Sequence, residues 1–209
     1  MATCYSLFSS PVISDIIDVD TTQLQFDMER KDIINFEKIK HDGYSNVSEI
    51  SKDLRILERY SNLKEVLLSK WYDAASNLFN YNNDFKITTS WITRTKKETS
   101  STMHLHKNSF YSGVFYYGKY SDKSGGIQFS NPIEQFIDYY LEPHTPNLLS
   151  SNTHTFYPKN NLLLFFPSYL KHRIMCHKDN SYRYSLAFNI APTGLYGIGD
   201  SQYNSEWLT

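Results

Sequence analysis

From Tyr182 to Ile190 apolar and polar side chains alternate without a break. Tyr182, Tyr184, Leu186, Phe188 and Ile190 share one parity, and Arg183, Ser185, Ala187 and Asn189 share the other. Successive side chains of a strand leave on opposite faces, so this stretch has to be a strand with one apolar face. Its second face carries a guanidinium and a hydroxyl that point the same way, at Arg183 and Ser185. A chain that contains such a strand must supply further strands to cover the apolar face.

The sequence supplies them between residues 84 and 190. Phe85, Ile87, Thr89, Trp91 and Thr93 share one parity, so Asp84 to Arg94 reads as a strand that ends in the charged loop Thr95 to Ser100. The aromatic run Phe110 to Tyr117 reads as another, Ile127 to Phe129 as a short one, and Leu162 to Phe166 as a buried one stopped by Pro167 and Ser168. Ser124, Gly125 and Gly126 form a turn, and the stretch Ile133 to Thr153, with Pro143 and Pro146, reads as a loop over one mouth of the fold. Aromatic residues are 16% of the 209-residue chain, with 17 Tyr and 13 Phe, in keeping with a sheet-rich protein.

The first third reads differently. Tyr5 to Asp20, interrupted by Pro11, is expected to hold an opening strand near a sheet edge. Gly43 to Val47 reads as a loop. Ser48 to Tyr81 is the clearest helical region, because Leu63, Val66, Leu67, Trp71, Ala74, Ala75 and Leu78 recur at spacings of three and four, with Ser61 as a candidate N-cap. The tail Gly194 to Thr209 has no assignable pattern. With no repeat or linker to divide it, the chain is expected to be a single domain over 1–209, with helical support over about 23–81 and a β core over about 85–190.

Net charge is −1, which gives no general electrostatic reason to expect nucleic acid or an anionic membrane as partner. Cys4 and Cys176 are too few for a disulfide framework. No apolar run approaches the ~20 residues that cross a bilayer, and the expectation is a cytoplasmic protein.

Candidate chemistry centres on STMHLHKNSFYSGVFYY, residues 101–117. His104 and His106 stand two apart, so in an extended chain both imidazoles face one side, an arrangement suited to a metal. A third ligand is sought between Pro167 and His177, where His172 and His177 are both available. Imidazoles suit Fe, Zn, Cu and Ni alike, while a facial three-ligand set with open positions suits Fe(II) and oxygen chemistry. The arginine adds a second demand. A guanidinium on an interior face needs an anion, and its planar fork matches a carboxylate. Cys176 beside His177 reads as a free thiol rather than a nucleophile, and His144 and His154 fall in the mouth loop.

The order of His104-Leu105-His106, SGVFYY, FPSYLKHRI and Arg183-Tyr184-Ser185 running into AFNI resembles the 2-oxoglutarate and Fe(II)-dependent oxygenase superfamily. More narrowly it resembles a bacterial and phage group with HxHxxSxxSGxYY and FPSxxxH…RxSxxFN motifs, over Trp91 to Ile190, with LFSSPV resembling that group's N-terminal strand. The resemblance implies a mainly β fold with packed helices, a double-stranded β-helix of jelly-roll, cupin-like form behind an N-terminal helical region. It implies His104 and His172 as iron ligands and Arg183 and Ser185 at the far carboxylate of 2-oxoglutarate, with O2 as the other co-substrate. His106 stands where most of the superfamily has Asp or Glu, so a three-His site is expected if it is a ligand. Trp91, Asn108, Tyr117 and Asn189 are candidates for the pocket lining, Tyr117 as a donor to 2-oxoglutarate and Asn189 beside the cofactor, with a core position the alternative for each.

The function so implied is a dioxygenase that hydroxylates a peptide side chain or a small metabolite, acting in a host cytoplasm if the chain is phage-encoded. Two other readings use the same residues. One is a metal-binding β-helix without turnover, and the other a three-His cupin-like enzyme that needs no 2-oxoglutarate.

Overall fold

A computed structural model describes residues 9–30, 32–38, 47–133 and 141–208. The chain opens with β1 (Ile13–Ile16), α1 (Thr22–Met28), β2 (Phe36–Lys38) and β3 (Glu49–Ser51). A 3₁₀ turn at Ile56–Arg59 leads into α2 (Ser61–Phe79). The β core follows as β4 (Asp84–Thr95), β5 (Tyr111–Phe115), β6 (Ile127–Ser130), β7 (Thr153–Phe156), β8 (Leu162–Pro167), β9 (His172–Ile174) and β10 (Arg183–Thr193). Short strands β11 (Leu195–Tyr196) and β12 (Tyr203–Asn204) pair in the tail that has no clear sequence pattern.

Seven strands make one antiparallel sheet in the order β1-β8-β5-β10-β4-β3-β2, and β7-β6-β9 make a second, smaller sheet. The two sheets form the jelly-roll core that the resemblance implies. β1 lies at the edge, as expected for a segment beside Pro11. The LFSSPV stretch is only partly visible, because residues 1–8, with Cys4, lie outside the described residues. So does most of the loop expected at 43–47.

Alternation across β5, β8 and β10 divides the interior in two. Phe115, Tyr117, Leu163, Phe165, Leu186, Phe188 and Ile190 face the helices and pack with Leu63, Leu67 and Trp71 of α2. Val114, Tyr116, Leu162, Leu164 and Phe166 face the second sheet and pack with Ile127 and Phe129 of β6. Trp71 is fully buried and sits among Tyr111, Phe85 and Phe165, with ring centroids 4.6, 5.4 and 5.6 Å away. Gly113 is required where β5 crosses β10: a Cβ there would lie 2.2 Å from Phe188 Cζ.

The helix is shorter than its sequence suggests. Residues 48–60 do not join it, because Glu49–Ser51 finds backbone partners between β2 and β4, and Ser51 Oγ accepts the Ile92 N–H. Tertiary pairing overrides propensity there. Ser61 is the first helical residue rather than the N-cap, which is Tyr60. The helix ends at Asn80 in the left-handed conformation, φ 56°, where the Asn80 N–H returns to the Ser76 carbonyl and the Tyr81 N–H to the Ala75 carbonyl. No helix among the described residues is long and apolar enough to cross a membrane.

One parity expectation also changes. The β4–β10 register slips between Asn189 and Ile190, which pair with Thr89 and Ile87 and leave Thr88 as a bulge. A one-residue slip exchanges the faces. Phe85 and Ile87 therefore join the helix-side core together with Ile92, while Trp91 turns to the opposite face.

Candidate active site

His104 lies outside the regular strands, but it makes a two-way antiparallel bridge with the first residue of β9. His104 N–H donates to the His172 carbonyl at 2.9 Å, and His172 N–H returns the bond at 2.8 Å. The bridge brings the two imidazoles together, with centroids 4.5 Å apart and planes inclined by 52°. His106 N–H donates to the Ser168 carbonyl at 2.9 Å, which brings its ring within 5.1 Å of the His172 ring. One ligand nitrogen from each of the three histidines lies within 4.8 Å of the other two. No other His, Cys, Asp or Glu trio comes so close among the described residues.

The rings are prepared for a cation. His104 Nδ1 and His172 Nδ1 lie 2.9 and 3.0 Å from the carbonyls of Thr102 and Leu170, each two residues earlier. A carbonyl can only accept, so the proton sits on Nδ1 and the lone pair on Nε2. Burial first, and then the neighbouring His104 ring, push the pKa of His106 down to about 4 and that of His172 to about 3. Both are neutral near pH 7, the form that ligates metal. Trp91 stacks on His106 at 5.3 Å, with planes 20° apart.

On the same inner face of β10 stands Arg183, only 1% exposed. Its Nε donates to the Gly125 carbonyl at 2.7 Å, Nη1 to Ser185 Oγ at 3.3 Å and Nη2 to Tyr116 Oη at 3.1 Å. These are dipoles, not charges, and among the described residues no carboxylate forms an ion pair with it. Gly125 reaches this position because it has no side chain; a Cβ would lie 2.3 Å from the Met175 carbonyl. His177, the other candidate for third ligand, is wholly buried behind this loop. It accepts the Gly125 N–H at Nδ1 (3.3 Å) and donates from Nε2 to the Ser181 carbonyl (2.7 Å), which engages both ring nitrogens.

Tyr117 is not at this site. It lies on the helix side of the sheet, fully buried, and its hydroxyl contacts Met28 Sδ at 2.9 Å. Its neighbour Tyr116 occupies the inner face and touches Arg183. Nothing in the run FYY marks which ring turns inward, because this strand is buried on both faces. Asn189 lies further along β10, away from the guanidinium, and Ser112 and Thr89 hold its amide. Asn108, in a left-handed turn at φ 57°, borders an open cleft of about 660 Å³ that reaches His106. Phe79, Tyr81, Phe110, Tyr111 and Tyr169 supply its aromatic wall.

Residues 89–189, which span β4 to β10 and contain the three histidines and Arg183, match the family model "Putative 2OG-Fe(II) oxygenase". Over β4 to β10 the chain matches the 2OG-Fe(II) oxygenase superfamily. No curated protein sequence matches the chain. Solved structures of this superfamily share its fold at low identity. A prolyl-4-hydroxylase from Pseudomonas putida superposes with a TM-score of 0.58 at 15% identity, over 88% of this chain and 94% of that one. HygX from Streptomyces hygroscopicus, with nickel and 2-oxoglutarate bound, gives 0.56 at 9% over 88% and 84%. A prolyl hydroxylase from Trichoplax adhaerens, in complex with a hypoxia inducible factor peptide fragment, gives 0.57 at 14% over 86% and 82%. The oxygenase is thus an oxidoreductase by family, and the cofactors of that family are Fe(II) and 2-oxoglutarate.

Proposed function

We propose that this oxygenase couples the oxidative decarboxylation of 2-oxoglutarate to hydroxylation of its substrate, with Fe(II) held by His104, His106 and His172. The observation that carries the reading is the pairing of two features on one inner face: three converging imidazoles, and a buried guanidinium with no carboxylate partner among the described residues. A buried charge left unpaired costs several kcal/mol. A dicarboxylate that meets the metal at one end and Arg183 at the other satisfies both features. HygX, with nickel and 2-oxoglutarate bound, is a protein of the same fold in which such a pair is present.

Bound together, Fe(II) and 2-oxoglutarate supply the oxygen chemistry: O2 is consumed, 2-oxoglutarate becomes succinate and carbon dioxide, and one oxygen atom goes to the substrate. The protein's own part is binding and orientation. Arg183, Ser185 and Tyr116 hold the far carboxylate through charge-assisted hydrogen bonds. The apolar layer of Val114, Leu164, Phe166 and Phe129 excludes water behind the histidines. The aromatic cleft that reaches His106 receives the substrate, and its rings suit an apolar peptide side chain.

The test is an anaerobic titration of metal-free protein with Fe(II) and 2-oxoglutarate, read by the visible metal-to-ligand charge-transfer band. The band should form in the wild type and fail in Arg183→Ala, with Fe(II) binding retained. His106, placed where the superfamily usually has a carboxylate, favours a second reading, a three-His metal site that works without 2-oxoglutarate. Fe(II) binding with no band would establish that reading instead.

A further inference from the structure

The aromatic cleft that reaches His106 is unbalanced in charge. Of the Lys, Arg, Asp and Glu side chains described, Lys107 alone lines it. We propose that Lys107 selects the substrate: the cleft receives a molecule that presents an anionic group to this ammonium and an aromatic or branched apolar body to the rings beside it. The inference deepens the reading of the cleft as the substrate site and rests on it.

The backbone that carries Lys107 is held on both sides. His106 N–H donates to the Ser168 carbonyl and Phe110 N–H to the Ile190 carbonyl, both at 2.9 Å. Between them Asn108 turns the chain at φ 57°, a left-handed conformation that Asn tolerates better than most residues. Ser109 Oγ then donates to the Tyr111 and Ile190 carbonyls at 3.0 and 3.2 Å. The loop thus begins at a candidate metal ligand and ends in the aromatic wall, and its one cation is set at the entrance to both. The ammonium is exposed, and among the described residues no Asp or Glu forms an ion pair with it.

The wall is equally fixed. Phe110 stacks on Phe85 with planes 12° apart, and Tyr81 stacks on Phe79 at 5.4 Å between centroids. Ser10 Oγ meets Tyr169 Oη at 3.1 Å and ties down the rim there. Yet Tyr81, Phe110 and Tyr169 keep 38, 38 and 56% of their surface exposed, so apolar area remains for a ligand to cover. Lysine is a compact point charge that reads the sign of a group rather than its shape, so a carboxylate reports the preference. Uncovered rings beside an unpaired cation are complementary to an apolar acid and not to an amine.

The experiment titrates the metal-free full chain with blocked probes, followed by ligand-observed NMR at low and high salt. One pair is N-acetylphenylalanine and its amide, which differ in a terminal carboxylate. The other is acetyl-Phe-Glu-amide and acetyl-Phe-Gln-amide, which differ in a side-chain carboxylate. In at least one pair the acid should bind about two- to fivefold tighter than its neutral partner, the range of an exposed ion pair, and the difference should shrink at high salt. A preference in the first pair alone indicates a small acid or a chain end, and one in the second an acidic stretch of polypeptide. Lys107→Gln should erase the preference without changing the neutral probes, and Lys107→Glu should reverse it. Lys171, exposed beside His172 but outside the cleft, is the control, and Lys171→Gln should keep the preference. No binding by any probe, equal binding within both pairs, or a preference that survives Lys107→Gln or vanishes in Lys171→Gln would overturn the proposal. The metal-free titration does not depend on the charge-transfer band, so a band without a charge preference removes only the role of Lys107, and a preference without a band removes only the 2-oxoglutarate reading.

Discussion

Tyr116 and Tyr117 are adjacent, both fully buried and both hydrogen-bonded through their hydroxyls, yet they lie on opposite faces of β5. The pair Tyr116→Phe and Tyr117→Phe therefore tests the placement of the site directly. Tyr116 Oη accepts from the Arg183 guanidinium at 3.1 Å. A hydrogen bond to a charged group contributes roughly 1.5–3 kcal/mol, and Phe cannot replace it. Gly125 and Ser185 continue to hold the guanidinium, so the lower half of that range is the better expectation, about 1.5–2 kcal/mol. The same loss applied to a carboxylate held by Arg183 would weaken 2-oxoglutarate about tenfold, since 1.4 kcal/mol is a factor of ten. Tyr117 Oη meets only a thioether, a weak partner, so Tyr117→Phe should cost less than about 1 kcal/mol and leave 2-oxoglutarate affinity unchanged. Urea denaturation of the metal-free proteins gives the stabilities, and anaerobic 2-oxoglutarate titration of the Fe(II)-loaded proteins gives the affinities. Equal weakening of 2-oxoglutarate by the two variants, or none by Tyr116→Phe, would refute the assignment of faces.

Three further outcomes follow from the structure. Because His106 and His172 titrate near 4 and 3 in the folded protein, against about 6.5 when unfolded, the unfolded chain binds more protons between these values. Their contribution is present above pH 6.5 and is lost as pH falls toward 4, by at most about 1.4 kcal/mol per pH unit per histidine; a urea midpoint of the metal-free protein that stays flat over that window would contradict it. Gly113→Ala forces a Cβ into the ring of Phe188, which is fully buried and has nowhere to go; overpacking of this kind costs about 1–3 kcal/mol or more, read as a lowered melting temperature. His177→Leu leaves the Gly125 N–H and the Ser181 carbonyl without partners at a cost of roughly 1–3 kcal/mol, and it should loosen 2-oxoglutarate while metal content stays normal. Metal loss in that variant would make His177 a ligand after all.

The parts of this protein that were legible in its sequence are those governed by local periodicity. Alternation from Tyr182 to Ile190 placed Arg183 and Ser185 on one face, and in the structure both are buried there. The spacing of His104 and His106 put two rings on one side, even though the chain around them is a loop, bridged to β9 at His104 and bonded to Ser168 at His106, rather than a strand. The amphipathic stripe of α2 was clear for the same reason, because period 3.6 is a property of the segment itself.

What tertiary structure decided depends on partners far away in sequence. A bulge at Thr88, which exists only in the pairing with β10, turned Trp91 from the apolar face onto His106. Residues 49–51 read as helix until the neighbouring strands offered them hydrogen bonds. Tyr116 rather than Tyr117 reaches Arg183 because the parity of β5 is set by its register against β8 and β10, and an aromatic run carries no local mark of that register. Gly125 met Arg183 on one side and His177 on the other only when the turn before β6 and the segment after β9 were brought together. Backbone periodicity is local and can be read from the chain; which strand faces which, and hence which polar groups share a site, is settled by pairing across the fold.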